Sequence, residues 1–270
     1  MLATADKISL LHKQKPSQEA EGFSFYDHYL YLRGIINHKS IKMRKLILLV
    51  TLICSVTLSA QTMAFTAIEV KVKPHTQDDI AEAFDKVFED VKMNQGGVVL
   101  ERFWNGRTKG MTHRIVFMRT LGIDLVDEGS ISPDKNEAFW AKMNNYIEEW
   151  GTSYSGRILS WQEGDTEKNP TVHIWDIKAQ DQNQFKKGHD NIVKTFKKDF
   201  EGRVVGFGTY DIGRPNGATH WVVLTGKDRN DHLMLYDKLE KSSKFIQLIK
   251  ERGAAEDVRD YEVEILRRKQ

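Results

Sequence analysis

Over residues 66–73 the chain alternates, with Ile68, Val70 and Val72 on one side and Ala67, Glu69 and Lys71 on the other, which predicts a half-buried strand. Thr76 then stands at an N-cap position, Asp78 and Asp79 suit a first turn, and Ile80, Phe84, Val87, Phe88 and Val91 recur at helical spacing. A helix ending near Gly96 is predicted. Residues 98–104, a turn at Asn105-Gly106 extended through Gly110, and residues 111–118 read as a hairpin with a longer loop. Ser132-Pro133-Asp134 offers a cap and a proline at the first helical position, and Phe139, Trp140, Met143, Tyr146, Ile147 and Trp150 then share one helical face. A strand over 155–163 follows. Gly164 to Pro170, with five polar or charged residues between its ends, predicts a boundary near residue 166.

The second half replays this order: a strand over 171–178, a helix over 181–200, a hairpin of 203–210 with 218–225, a helix over 231–252 and a last strand over 258–266. Gly110-Met111-Thr112-His113-Arg114-Ile115-Val116-Phe117 and Gly217-Ala218-Thr219-His220-Trp221-Val222-Val223-Leu224 spell nearly the same strand 107 positions apart. Each half reads βαββαβ, a four-stranded antiparallel sheet with both helices on one face. The bare face needs a cover, and a second copy supplies one. The expected fold is therefore α+β: two tandem ferredoxin-like βαββαβ repeats, 61–165 and 166–270, packed sheet to sheet as an intrachain α+β barrel.

This pattern resembles the dimeric α+β barrel superfamily, in which two ferredoxin-like units pack together as two subunits or as two repeats. The resemblance covers residues 65–268 and rests on element order and repetition, without pointing to one member family. It implies a fold that serves cofactor-independent monooxygenases, lactone isomerases, dehydratases and haem enzymes, so the reaction stays open.

Ahead of the first strand, Met43-Arg44-Lys45 precedes thirteen uncharged residues, Leu46 to Leu58, and then Ser59-Ala60. A positive flank, a short apolar run and a small-residue exit spell a signal peptide over 43–60, cleaved after Ala60, whereas a spanning helix needs roughly twenty apolar residues. Residues 1–42 would lie upstream of the export signal, so Met43 is the expected start and the protein is expected to be periplasmic or extracellular, with no membrane span after cleavage. The alternative is a type II anchor that keeps 1–42 in the cytoplasm.

The only cysteine, Cys54, falls within that segment, so the exported chain has no thiol chemistry and no disulfide. Of 40 basic and 38 acidic residues, the first sixty hold 8 and 4, leaving 32 against 34 and a net charge of −2. With no basic stripe and no aromatic RNA-binding pattern, nucleic acid is not an expected partner. A small-molecule ligand is, in a monomer or homodimer.

The repeated strand carries the sharpest candidates. His113 shares its face with Ile115 and Phe117, and His220 with Val222 and Leu224. Facing the space between the sheets, the two imidazoles would meet in one cavity as acid and base; facing the helices, they would be hydrogen-bonded core residues. Glu101, Trp104, Arg114, His173, Trp175, Tyr210 and Trp221 are the candidate ligand-binding residues, being charged or aromatic positions on strands. A metal set of His113 and His220 with Glu101 or Asp211 lacks any ligand spacing, so no metal is expected. No cofactor is expected either, since neither a phosphate loop nor a dinucleotide fingerprint is present. Two readings stay open: an exported barrel that holds an apolar or aromatic molecule, with cofactor-free isomerisation or oxygenation as the reaction it would serve, and a non-enzymatic envelope interaction or stress protein.

Overall fold

The computed structural model describes residues 61–108, 110–127 and 132–270. The signal peptide and the segment before it lie outside the described residues. Eight strands and five α-helices follow in the order β1 (Met63–Val72), α1 (Gln77–Phe88), β2 (Gly96–Asn105), β3 (His113–Thr120), α2 (Pro133–Tyr146), β4 (Ile147–Gln162), β5 (Thr171–Ala179), α3 (Gln182–Thr195), β6 (Val205–Thr209), β7 (His220–Gly226), α4 (Arg229–Glu240), α5 (Ser243–Glu251) and β8 (Ala255–Lys269). A single 3₁₀ turn, Pro215–Gly217, precedes β7.

All eight strands close into one antiparallel barrel in the order β1-β3-β2-β8-β5-β7-β6-β4. The first-half strands run β4-β1-β3-β2 and the second-half strands β8-β5-β7-β6, so each half places its strands in the same relative order. The β2–β8 and β4–β6 ladders then hydrogen-bond the halves edge to edge. Closure removes every free strand edge.

Closure also buries both faces of the strands. Val70 and Val72 face α1 and α2 as the alternation requires, but the opposite side carries Phe65 and Ala67 into the barrel core and leaves Glu69 only 1% exposed. The strand expected to be half-buried is buried on both sides. One apolar cluster lies inside the barrel, while others lie between its outer face and the helices.

Several boundaries differ from the periodicity. Helix α1 stops at Phe88, well before Gly96, once Ile80, Phe84 and Phe88 are docked. Ser132 caps α2 as expected, its side chain accepting from Lys135 N, but the helix ends at Tyr146. Ile147 to Trp150 instead opens the 16-residue β4, with Val70 paired to Trp150. Asp181 caps α3 by accepting from Asn183 N and Gln184 N at 2.9 and 3.0 Å. The single helix expected over 231–252 is broken where Ser242 caps α5, accepting from Phe245 N, because a serine oxygen satisfies a free amide that would otherwise need the preceding turn.

Glycine marks where β6 meets its neighbours. A Cβ at Gly208 would stand 2.3 Å from the Trp221 indole and 2.2 Å from Arg157 O, and one at Gly206 would meet the Trp161 ring at 2.7 Å. Two indoles therefore lie over bare backbone, an approach that only glycine permits.

Candidate functional site

Inside the barrel, the inward positions of β1, β2, β3, β4, β5 and β8 bring ionisable side chains together. Glu101 and Arg114 are cross-strand partners on β2 and β3, and Arg114 Nε donates to Glu101 Oε2 in a pair buried on both sides. Arg114 Nη1 also donates to the Tyr261 hydroxyl at 2.7 Å. Arg259, entering from β8, donates from Nε to Asp176 Oδ2 at 2.7 Å, from Nη2 to Glu69 Oε1 at 3.2 Å and from Nη1 to Thr108 Oγ1 at 2.6 Å. Tyr210 donates to Asp176 Oδ1 at 2.6 Å, and Tyr154 stands 3.5 Å from both Arg114 Nη1 and Glu69 Oε1. Three carboxyl groups thus share two guanidiniums and three phenols, and Glu69 Oε2 is left buried without a partner.

Burial governs how these groups titrate. It raises the pKa of Asp176, against the hydrogen bonds from Tyr210 and Arg259 that favour its anion. It also pushes the Tyr210 and Tyr261 phenols well up. For Arg114, burial works to lower the pKa, but the charge of Glu101 and the surrounding phenols outweigh it, and the guanidinium is held charged. Arg259 is held charged in the same way, against its own burial, by Tyr261, Asp176 and Glu69.

This network forms a floor. Above it, toward the ends of the strands marked by Met63, Gly96, Thr225 and Arg268, a cavity of about 250 Å³ opens. Its walls are apolar, from Phe65, Val99, Val116, Ile174 and Val223, and its deep end meets Glu101, Arg114, Tyr210 and Trp221. Exposed Trp161, Glu163 and Arg268 rim the mouth, where Arg268 donates to Thr166 Oγ1 at 2.6 Å. An eight-stranded barrel has an interior of the size that side chains can fill or one small ligand can occupy.

Four of the sequence candidates, Glu101, Arg114, Tyr210 and Trp221, line this cavity. The two histidines do not meet in it. His113 points to the outer side, its strand neighbours Ile115 and Phe117 packing in the cluster under α1 and α2, with Nδ1 2.9 Å from Thr112 Oγ1 and Nε2 unpartnered. His220 lies on the same outer side of β7, stacked on Phe207 at 5.4 Å, with Nδ1 2.8 Å from Thr219 Oγ1 and Nε2 3.3 Å from Gln182 Oε1. Burial lowers the pKa of both, that of His113 to about 4. The paired acid and base expected from the repeat is therefore replaced by two packing histidines, because an outward strand position in a helix-covered barrel is as apolar as an inward one. Each adjacent threonine ties its strand to the neighbour, Thr112 by accepting from Val72 N at 2.8 Å and Thr219 by donating to Ile177 O at 3.5 Å.

The other candidates also sit outside the barrel. His173 Nδ1 lies 2.8 Å from His232 Nε2 on α4, Trp175 stacks on Tyr236, and Trp104 is 48% exposed beside Arg102. The floor residues Tyr154, Asp176, Arg259 and Tyr261 were not among the candidates. A signal for three of them was present: Tyr154 and Tyr261, like His113 and His220, are 107 positions apart, as is Asp176 from Glu69. Among the described residues no cluster of His, Cys, Asp and Glu could hold a metal, and no helix is long and apolar enough to cross a membrane.

No protein-family model matches the sequence, and no curated protein matches it. Among solved structures the chain is similar to a candidate monooxygenase from Lactobacillus acidophilus NCFM, with 10% identity and a TM-score of 0.55 over 77% of this chain and 95% of that one. It is similar also to a candidate monooxygenase from Fusobacterium nucleatum, with 16% identity and a TM-score of 0.51 over 78% and 95%. At such identities the likeness is one of fold alone, that of a closed antiparallel α+β barrel.

Proposed function

We propose that the barrel interior binds a flat, mainly apolar or aromatic small molecule bearing one polar group, and that the protein is an exported, cofactor-independent enzyme of the isomerase or monooxygenase kind. The observation that carries this reading is the cavity itself: an apolar shaft of about 250 Å³ ends on a buried Glu101–Arg114 pair, with Tyr210 and the Trp221 indole beside it. Most small-molecule sites have this composition, an apolar lining with a few convergent polar groups. The fold likeness to the two candidate monooxygenases adds support at the level of class alone.

The floor is equipped for two tasks. Arg114 can hold developing negative charge on a ligand oxygen in surroundings that exclude water. Tyr210, hydrogen-bonded to an Asp176 whose carboxyl is pushed toward its neutral form, can move a proton at the ligand's polar group. The matching element order of the two halves supports a tandem ferredoxin-like origin for the barrel, and the apolar run at 46–58 supports export.

The test is a titration of the full-length protein with 1-naphthol and with naphthalene, followed by tryptophan fluorescence and native mass spectrometry. Wild type is expected to bind 1-naphthol the more tightly, Arg114→Met to lose that preference, and the shaft-filling Val116→Trp to bind neither. Unchanged binding by Val116→Trp would place the ligand elsewhere and overturn the proposal.

A further inference from the structure

A second, larger cavity lies on the other side of the sheet. The space under α3, α4 and α5 holds about 430 Å³, walled by Ile192 and Val193 from α3, Leu239 from α4, Phe245 and Ile249 from α5, and Leu224 from β7. The helices over the first half instead pack Phe84, Phe88, Phe139 and Met143 into one continuous core.

One end of this second cavity is chemically distinct. His189, only 4% exposed, lines it, and neither ring nitrogen has a hydrogen-bond partner; the nearest carboxylate oxygen, Asp190 Oδ1, stands 3.6 Å from Nδ1. Arg252, which follows α5, packs its backbone against Gly188, where a Cβ would come within 2.4 Å of Arg252 Cα. Its guanidinium lies 4.3 Å above the Phe185 ring, and its Nε is buried with no partner. Among the described residues no carboxylate forms an ion pair with it, although the buried Arg114 and the half-buried Arg203 and Arg259 each have one. Glu240, Lys250 and Asp257 also line the cavity, and the Asp257 charge only partly offsets the burial that lowers the Arg252 pKa.

A half-buried cation with no paired anion and an orphaned Nε, and a buried imidazole with no acceptor within hydrogen-bond distance, are both costly. Both costs fall if an anion able to accept hydrogen bonds occupies the space between them. Apart from Glu240, Lys250 and Asp257, the rest of the lining is apolar or aromatic, and the volume falls in the range of small-molecule sites. We propose that this cavity binds a monocarboxylate with an apolar body of medium-chain fatty-acid size, its carboxylate on Arg252 and His189 and its chain between α3, α4, α5 and the sheet.

The test is calorimetric titration of the full-length protein with decanoate, 1-decanol and decylamine. Wild type is expected to bind decanoate at least tenfold more tightly than decanol and to reject the amine. Arg252→Gln is expected to bring decanoate and decanol within about twofold of each other, which corresponds to losing roughly 1 kcal/mol of discrimination. Val193→Trp, which fills the chain end, is expected to abolish binding of both. Val116→Trp, which fills the barrel shaft, is expected to leave decanoate binding unchanged, and so separates this site from the interior one. The proposal is overturned if decanoate binds no better than decanol, if Arg252→Gln keeps the preference, if Val193→Trp binds as wild type does, or if Val116→Trp abolishes binding.

Discussion

The two halves of the barrel interior agree at some positions 107 apart and part at others, and the differences define the site. Glu69 and Asp176 are both acids, and Tyr154 and Tyr261 are both phenols. Arg114, however, corresponds to Trp221, Glu101 to Gly208, and Phe103 to Tyr210. Where these positions line the cavity, the first half supplies the Glu101–Arg114 pair; the second supplies an indole lying over a glycine that leaves it room, its own Asp176–Arg259 pair lying outside the cavity lining. Positions 107 apart thus give the cavity a charged side and a flat aromatic side, which suits a ligand that is itself flat with one polar group.

The comparison breaks most sharply at the ion pair. Arg114→Met leaves Glu101 uncompensated in the interior and is expected to destabilise the protein by about 3–5 kcal/mol, measured by denaturant unfolding, whereas the double variant Arg114→Met/Glu101→Leu recovers most of the loss. A single variant as stable as wild type would show that the pair is solvated and not part of a dry floor.

The matched histidines come next. Burial lowers the His113 pKa to about 4, below its unfolded value near 6.5, so the native state resists taking up a proton that the unfolded chain accepts. The stability this contributes is fully present above about pH 6.5 and is lost as the pH falls toward 4, by up to about 3 kcal/mol. His232 adds a loss of the same sign, since burial and the neighbouring His173 lower its pKa to about 4 as well. Unfolding free energies at pH 7 and pH 4.5 should converge for His113→Gln more than for His220→Gln, because His113 is 1% exposed and His220 8%.

Smaller effects sharpen the contrast further. Gly208→Ala brings a Cβ to 2.3 Å from the Trp221 ring and is expected to cost about 1–3 kcal/mol while shifting the Trp221 emission. Thr112→Val removes the acceptor for Val72 N and is expected to cost about 1 kcal/mol more than Thr219→Val, whose bond to Ile177 O is longer.

Much of the fold was legible because strand alternation and helix caps are local. Ser132 announced α2, and the repeated Gly-x-Thr-His strand announced corresponding strands in the two halves. Residues 147–150 were misread because Ile147 and Trp150 satisfy helical spacing as readily as they continue a strand, and only pairing with β1 decides between them. The histidine face was illegible for a tertiary reason. In a closed barrel covered by helices both faces of a strand are buried, so Ile115 and Phe117 beside His113 cannot say which side is inside. The floor was half-legible: Glu101 and Arg114 stood out as charges on strands, but Asp176 and Arg259 acquire their meaning only when β5 and β8 pair, with Asp176 opposite Arg259.

The central claim is that the asymmetric shaft above Glu101 and Arg114 holds the ligand. A crystal structure of the full-length protein soaked with 1-naphthol tests it most directly. The account expects the ring to lie against Trp221 with its hydroxyl facing Arg114; a ring bound elsewhere, with the shaft unoccupied at saturating ligand, would contradict it.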